Sequence, residues 1–272
     1  MHHTYGLVRD TEDDRDFKYI QTRIERLPEQ VDLRYMCKEV RDQLTLGSCS
    51  GFAICGFREQ LEFVKIRDIP IGFAPLYSYF WGRYIQGTTN WDSGCSIRDV
   101  FKGANKFGFC TDPKWPYVTI TFTKDPSEEM REEGKVHRLG SYRRLRSLQE
   151  LKSCLASGKS AVIGMAVYES FEDSYVKMTG KMPLPASGEK LLGYHAVQVV
   201  GYKDDPLIDG GGILIVKNSW GVVWGDKGYF YMPYAYTHDN DLVFDMWTGD
   251  IVDTTPNENC LVRLFRRLGI VK

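Results

Sequence analysis

The sequence has neither a surplus of one charge nor a long hydrophobic run. Its 272 residues include 35 Lys and Arg against 36 Asp and Glu, which gives no electrostatic reason to expect nucleic-acid binding. The longest apolar run, residues 161–168, is far short of the roughly 18 residues that a transmembrane helix needs. The first thirty residues are polar and contain no apolar segment of a signal peptide. These absences predict a soluble protein that binds neither nucleic acid nor a membrane.

Closely spaced metal ligands are missing as well. The seven cysteines include no CxxC pair and the five histidines no HExxH motif, so the sequence predicts neither a metal site nor a cofactor. An odd number of cysteines leaves at least one thiol unpaired within the chain, and such a thiol is either part of an inert core or reactive. The composition, with 43% hydrophobic and 26% charged residues, is typical of a globular protein with one large domain or two lobes.

The apolar pattern divides the chain into an arm, a helical part and a strand-rich part. Residues 1–26 are dense in charge and poor in large apolar side chains, which predicts an arm outside the core that ends at Leu27-Pro28. Helical periodicity follows from residue 49 to about 120, with helices starting at Cys49, after Pro75 and after Ser96. The apolar stripe of the first helix comprises Ala53, Phe57, Leu61 and Val64.

After about residue 135 the pattern favours strands. Ser147 and Glu150 form a capping pattern for one short helix, which is surrounded by β-rich runs. These runs are residues 161–168, 195–202, 213–220 and 228–234. A helical first half followed by a strand-rich second half indicates the α+β class.

Cys49 lies at the first turn of the first predicted helix, in Gln43-Leu44-Thr45-Leu46-Gly47-Ser48-Cys49-Ser50-Gly51. A helix N-terminus stabilises the negative charge of a thiolate, which is the reactive form of cysteine. The small neighbours of Cys49 allow a substrate backbone to approach closely. This segment alone fits a nucleophile and a buried structural cysteine equally well.

A nucleophilic thiol needs a base, and His195 is the candidate. It opens the β-run His195-Ala196-Val197-Gln198-Val199-Val200-Gly201-Tyr202, and Asn218 falls at the end of the next run. If the two runs form a hairpin around the turn at 210–212, Asn218 lies beside His195 and its amide can accept the imidazole N–H. Trp220 and Trp224 then cover this hydrogen bond.

The three segments together resemble the papain-like cysteine proteases of the cathepsin superfamily. The resemblance rests on Gln-x5-Cys, a His in HAVxxVGY and an Asn in KNSWGxxWGxxGY, and it extends from about Leu27 to Trp247. It implies an α+β, papain-like two-lobed fold. A helical left lobe would span about 31–134 and a β-barrel-like right lobe about 135–247, with the active-site cleft between them and a C-terminal extension over 249–272.

The resemblance also implies roles for single residues. Cys49 and His195 would form the thiolate–imidazolium pair, Asn218 would orient His195, and Gln43 would donate its amide to the oxyanion. His195 follows Cys49 by 146 residues, within the usual range of about 130–150, whereas Asn218 lies beyond it because the hairpin is lengthened at 204–212. The residues expected to bind substrate are Gly94, Tyr194 and Trp220.

The implied activity is that of a cysteine endopeptidase that forms a thioester acyl-enzyme. Nothing resembles the His-His occluding loop of the carboxydipeptidase branch, which favours an endopeptidase. Two alternatives remain: an acyl transferase or peptide ligase on the same fold, and an inactive papain-fold binding protein. The expected partners are peptide or protein substrates, the protein is expected to be a monomer, and no cofactor or metal is expected.

Two departures from the family pattern generate further expectations. Leu46 stands where typical secreted members have a disulfide-forming cysteine, and no signal peptide is evident. This favours free thiols and a reducing, cytoplasmic-type compartment. The opening segment Tyr5-Gly6-Leu7-Val8-Arg9-Asp10 resembles the short prosegments of bacterial, archaeal and viral members. We expect this arm to be an autoinhibitory prosegment that covers the cleft; the alternative is a terminus without regulatory effect.

Overall fold

In the described part of the chain, four α-helices lie between the first and the second strand, and two more lie between later strands. The computed structural model describes residues 3–20, 26–68 and 70–251. Its helices are α1 (Cys49–Ile66), α2 (Pro75–Gln86), α3 (Ile97–Lys106), α4 (Glu128–Val136), α5 (Leu148–Ala156) and α6 (Ser174–Thr179). Its strands are β1 (Gln30–Asp32), β2 (Leu139–Leu145), β3 (Ala161–Tyr168), β4 (Leu191–Asp204), β5 (Gly212–Lys217), β6 (Tyr229–Pro233) and β7 (Val243–Ile251).

All the strands pair antiparallel in one sheet with the order β2-β7-β3-β4-β5-β6. Strand β1 joins the sheet at β4, where Val31 lies opposite Tyr202. The sheet is open, since no described pairing joins its end strands β2 and β6. The α+β class is therefore confirmed, but the β-barrel-like part is an unclosed sheet.

The capping residues predicted from the sequence start their helices as expected. The Ser96 side chain accepts the backbone N–H of Asp99 at the start of α3, and the Ser147 side chain accepts that of Glu150 at the start of α5. Helix α1 begins at Cys49 and ends at Ile66, and the next residue, Arg67, has the left-handed backbone conformation typical of a helix C-terminus (φ 59°). The predicted helices are thus confirmed.

Two boundaries differ from those expected. Residues 30–36 belong with the sheet and not with the helical lobe, because Leu33 donates its N–H to Val200 and packs with Met36 in the core of the sheet. Strand β7 runs to Ile251, so residues 249–251 are part of the sheet and not of an extension. The remainder of the expected extension, 252–272, lies outside the described residues.

The described residues form two hydrophobic cores, one around the helices and one within the sheet, and the first also includes strand residues such as Ala196 and Trp247. In the helical core, Phe57 of α1 is fully buried and its ring lies 5.4 Å from that of Phe101 in α3. In the core of the sheet, Val199 of β4 and Val216 of β5 are fully buried. Among the described residues no helix is long and apolar enough to cross a membrane. The six described cysteines are free thiols.

Replacement of Phe57 by Ala tests the importance of the helical core. We expect the Phe57→Ala substitution to lower the free energy of unfolding by about 3–5 kcal/mol, because it leaves a cavity between α1 and α3. The matched control is Ile66→Ala at the exposed end of the same helix, where the side chain is 51% exposed and we expect a change of less than about 1 kcal/mol. Chemical denaturation measures both, and equal effects would contradict the assignment of Phe57 to the core.

Candidate active site

Cys49 is the first residue of α1 and its side chain is fully buried. The first backbone N–H groups of a helix have no hydrogen-bond partner within the helix. Those of α1 therefore have no partner within the helix at the end where Cys49 lies. The preceding loop is held by Asp92, whose carboxylate accepts the Gly47 N–H at 2.9 Å. Asp92 also accepts the hydroxyl of Tyr79, and that hydroxyl accepts the Gly94 N–H at 2.9 Å. One carboxylate therefore connects the Cys49 loop to the Gly94 loop.

His195 lies in β4 and Asn218 directly follows β5, and the hairpin brings the two together. His195 Nε2 is 2.8 Å from Asn218 Oδ1. The same oxygen accepts the Ser219 N–H at 2.8 Å, which fixes the orientation of the amide. Because an oxygen faces Nε2, this nitrogen carries the imidazole proton. His195 Nδ1 is buried and has no hydrogen-bond partner among the described residues, so its lone pair is available.

Trp220 and Trp224 shield the His195–Asn218 hydrogen bond from water, as expected. The Trp220 ring stacks on the imidazole with 5.1 Å between centroids, and the Trp224 ring lies edge-on to Trp220 at 5.0 Å. Both indoles are buried. A dry environment strengthens the hydrogen bond between the imidazole and the amide.

Gln43 is buried and is fixed by Ser219. Its backbone N–H donates to the Ser219 carbonyl at 2.8 Å, and its side-chain Oε1 accepts the Ser219 hydroxyl at 2.6 Å. The amide Nε2 is thereby turned the other way, where it donates to the carbonyls of Leu46 at 3.0 Å and Thr4 at 3.2 Å. Ser219 had no role assigned from the sequence, although it lies inside the Lys-Asn-Ser-Trp-Gly segment.

The N-terminal arm runs through the cleft between these groups. Gly6 accepts the Cys95 N–H at 3.0 Å on the helical side, and Leu7 donates its N–H to the Tyr194 carbonyl at 3.2 Å on the sheet side. The His3 ring stacks on Trp220 with 4.4 Å between centroids. The arm is thus hydrogen-bonded to both walls of the cleft.

The three residues expected to bind substrate all contact this arm. Tyr194 does so through its carbonyl and Trp220 through its ring. Gly94 does so by close approach, since a Cβ atom at this position would lie 1.8 Å from the Gly6 carbonyl oxygen. The backbone group that pairs with the arm is that of Cys95, however, because the Gly94 N–H is already bonded to Tyr79.

Leu7 corrects the expectation that the arm lies outside the core. Its side chain is only 5% exposed and belongs to the helical core. A Cβ atom at Gly164 would lie 2.8 Å from a Leu7 methyl group, so this glycine leaves room for the side chain. The polar composition of residues 1–26 hid this single apolar anchor. Nearby, the Tyr5 hydroxyl donates to the Glu172 carboxylate, which the sequence did not indicate.

Burial dominates the electrostatics of the site. It raises the pKa of the Cys49 thiol to about 11, although the backbone N–H groups of Ala196, Gly6 and Ser50 favour the thiolate. Burial also lowers the pKa of His195 to about 4, although the hydrogen bond to Asn218 favours the imidazolium. With the arm in the cleft, both groups are therefore neutral at pH 7. The described residues contain no cluster of three or more His, Cys, Asp or Glu side chains that is arranged to hold a metal ion.

Comparison with known proteins identifies similar chains. The family model described as papain family cysteine protease matches residues 27–242. An uncharacterized peptidase C1-like protein of Acanthamoeba polyphaga mimivirus is 36% identical over 218 residues, which are 76% of this chain and 68% of the relative. A cathepsin L-like proteinase of Fasciola hepatica is 27% identical over 76% of this chain and 60% of its own length. The chain thus spans less than two thirds of that second relative.

Solved structures show the same fold. The crystal structure of xylellain, a cysteine protease from Xylella fastidiosa, superimposes with a TM-score of 0.83 at 32% identity and covers 91% of this chain and 96% of that one. The digestive procathepsin L 3 of Tenebrio molitor larval midgut superimposes with a TM-score of 0.67 at 19% identity, over 87% of this chain and 74% of that one. The papain-like fold expected from the sequence is confirmed.

The titration of His195 tests how deeply the site is buried. We expect the imidazole to remain neutral as the pH is lowered from 8 and to gain its proton only near pH 4, because burial disfavours the cation. Its folded-state pKa lies below the unfolded value near 6.5, so its burial destabilises the fold progressively as the pH falls from about 6.5 to 4. Imidazole ¹⁵N resonances measure the titration. A midpoint near 6.5 would contradict a buried, arm-covered site.

Proposed function

The chain belongs to the papain family of cysteine proteases, and from this premise we propose that it cleaves internal peptide bonds with Cys49 as the nucleophile. The observation that carries the proposal is the His195–Asn218 hydrogen bond at 2.8 Å, with a free Nδ1 on the opposite side of the ring. The Ala196 N–H that contacts the Cys49 sulfur follows His195 directly in β4, which brings the thiol and the imidazole into the same corner of the cleft.

In the proposed reaction, His195 Nδ1 takes the thiol proton and the Cys49 sulfur attacks the carbonyl carbon of the substrate. Collapse of the tetrahedral intermediate breaks the C–N bond, and the imidazolium gives its proton to the leaving amine. The product is a thioester between Cys49 and the acyl half of the substrate. Water then attacks the thioester, His195 removes its proton, and the acid and the free thiol are released.

The oxyanion of each intermediate needs hydrogen-bond donors that are already in position. We propose the Gln43 Nε2 amide and the Cys49 backbone N–H for this role. Ser219 holds Gln43 from the opposite side, so the amide need not reorient during the reaction. In the present structure Nε2 donates to the Thr4 carbonyl, an oxygen that occupies the place proposed for the oxyanion.

We further propose that the arm inhibits the enzyme by occupying the cleft. The Thr4 carbonyl contacts Gln43 and the N–H of Gly6 contacts the Cys49 sulfur, so the arm occupies both the place proposed for the oxyanion and the approach to the thiol. The arm also buries the pair and so holds it neutral; its departure would let water reach both groups and favour the thiolate–imidazolium form.

The catalytic unit proposed here begins at Leu27 and ends with β7, and it acts as a monomer on peptide or protein substrates. The two alternatives from the sequence predict different products and reactivity. An inactive binding protein would not react with an epoxysuccinyl probe, and a transferase would join the acyl group to an added amine in preference to water. A reducing compartment is proposed from the free state of the six described thiols.

Gln43→Ala tests the oxyanion donor. We expect kcat to fall by about 10²–10³ for a peptide substrate, since a single donor to the developing charge is lost. Cys49→Ala provides the reference without turnover, and Gln149→Ala, on the exposed surface of α5, provides a control with unchanged kcat. Thermal denaturation must show that all three variants are folded. A fall of less than about threefold in Gln43→Ala would remove Gln43 from the proposed site.

Removal of the arm tests the inhibition. We expect a chain that begins at Leu27 to show a kcat/KM for a small peptide substrate at least tenfold above that of the full chain, because substrate no longer competes with the arm. A synthetic peptide of residues 3–20 should restore inhibition and raise the apparent KM without changing kcat. Equal kcat/KM values for the two folded chains would mean that the arm has no regulatory effect.

A further inference from the structure

Beyond the cleft, the arm inserts Asp10 into a closed polar pocket. The Asp10 side chain is fully buried. Its Oδ1 accepts the backbone N–H of Arg98 at 3.0 Å, and its Oδ2 accepts Arg144 Nη2 at 2.7 Å and Trp247 Nε1 at 2.8 Å. The backbone N–H of Asp10 donates to Asp245 Oδ2 at 2.6 Å. The pocket thus contacts both the carboxylate of this residue and its main chain.

A second arm carboxylate lies on the same two arginines. Asp16 Oδ2 accepts Arg98 Nη2 at 2.6 Å and Arg144 Nε at 3.1 Å, while Asp16 Oδ1 accepts Arg98 Nε at 3.0 Å. The side chains of Asp16 and Arg98 are 10% and 6% exposed. Asp10 and Asp16 are therefore both bonded to arginines in a largely buried environment, where charge-assisted hydrogen bonds are stronger than at the surface.

The pocket is part of the body of the protein and is built for this contact. Arg98 belongs to α3, Arg144 to β2, and Asp245 and Trp247 to β7. Asp245 has a left-handed backbone conformation (φ 49°) in the middle of a strand, which is unfavourable for a residue with a Cβ atom. In this conformation it accepts both the Asp10 N–H and Arg144 Nη1 (3.0 Å).

We propose that Arg98, Arg144, Asp245 and Trp247 form an aspartate-binding site, separate from the catalytic cleft, whose ligand is the arm and which keeps the arm in the cleft. This inference rests on the proposed inhibition by the arm. Only two residues separate Leu7 in the cleft from Asp10 in the pocket, so occupation of the pocket keeps the inhibitory segment at a high effective concentration beside Cys49.

The strength of this anchor depends on pH in a defined direction. Burial, with the nearby Asp245 carboxylate, raises the pKa of Asp10 to about 6, against the opposing effects of Trp247, Arg98 and Arg144. In a released arm the pKa of Asp10 is near the ordinary value of about 3.9. At a pH between these two pKa values, docking of the arm is accompanied by uptake of a proton by Asp10. The arm is therefore held more tightly at pH 5 than at pH 8.

Each element that packs against Asp10 contributes a charged side chain: α3 contributes Arg98, β2 contributes Arg144 and β7 contributes Asp245. Three carboxylates, those of Asp10, Asp16 and Asp245, share two guanidinium groups, so the cluster carries a negative excess when Asp10 is ionised. The other charged side chains lining the adjacent surface are Arg9, Glu12 and Arg146.

The test uses four full-length chains and a small fluorogenic peptide substrate. Asp10→Ala removes the anchor, and Asp14→Ala is the control because Asp14 is an exposed carboxylate of the same arm. Gly6→Ala releases the cleft independently of the anchor, because its Cβ atom would lie 2.0 Å from the Gly47 carbonyl oxygen. We expect kcat/KM at pH 7.5 to rise at least tenfold over the parent chain in Asp10→Ala and in Gly6→Ala, and to change less than twofold in Asp14→Ala.

The pH dependence provides a second readout. The kcat/KM of the parent chain divided by that of Gly6→Ala should rise from pH 5 to pH 8. The kcat/KM of Asp10→Ala divided by that of Gly6→Ala should stay constant over the same range. Activation by Gly6→Ala without activation by Asp10→Ala would overturn the anchor and leave the inhibition standing. Active but unchanged chains in both cases would overturn the inhibition, and with it the anchor. Absence of turnover in all four folded chains would overturn the peptidase function itself.

Discussion

The close packing of helix α1 against strand β4 decides where the chemistry of this protein takes place. Cys49 and Ala53 of α1 share one core cluster with Ala196 of β4. The approach is tight enough that a Cβ atom at Gly56 would lie 2.4 Å from Gln198 Oε1. Because both partners are regular elements, the first residue of the helix and the imidazole of the strand are held in a fixed relation. Every other group of the site is placed relative to this contact.

The arm lies over Cys49 and His195 and buries both groups. It enters along the same junction, where the Leu7 side chain lies against Gly164 of β3 and joins the helical core. Its effect is largely one of solvation, because exclusion of water disfavours both the thiolate and the imidazolium. Under the proposed inhibition, Cys49 and His195 would stay uncharged until the arm is removed. The inhibition proposed here thus combines occupancy of the cleft with control of ionisation.

Much of the architecture could be predicted from local patterns. The capping serines, the apolar stripe from Ala53 to Val64 and the Lys-Asn-Ser-Trp-Gly segment each carry their own signal, and they located α1, α3, α5 and the region of His195 and Asn218. Strands β2 and β7 were not predicted from the sequence, because Arg143, Arg144 and Asp245 interrupt the alternation of apolar residues. Arg144 pairs with Asp10 and Asp16 of the arm, and Asp245 accepts the backbone N–H of Asp10, so these two residues are explained by contacts with a segment more than a hundred residues away in sequence.

The residues of the candidate site also differ in whether the sequence alone indicates them. Cys49, His195, Asn218 and Gln43 are recognisable from spacing, because the chemistry restricts their residue types. The contributions of Ser219, Cys95 and Glu172 depend on backbone groups or on contacts with the arm, which leave no pattern in the sequence. The burial of Leu7 was not predicted for a related reason. A single apolar residue among charged ones has no periodicity, and its burial depends on a cleft that only the folded structure shows.

The link through Asp92 has a consequence for the environments in which the cleft keeps its shape. Asp92 accepts the Gly47 N–H and the Tyr79 hydroxyl, and Tyr79 accepts the Gly94 N–H, so hydrogen bonds tie the loop before Cys49 to the Gly94 loop on the same, helical side of the cleft. Leu46, beside Gly47, occupies the place of a cysteine that forms a covalent bridge in secreted members of the family. A noncovalent tie is indifferent to thiol reductants and oxidants. This tie between the two loops is therefore independent of the redox potential of the surroundings, while the Cys49 thiol itself remains sensitive to it.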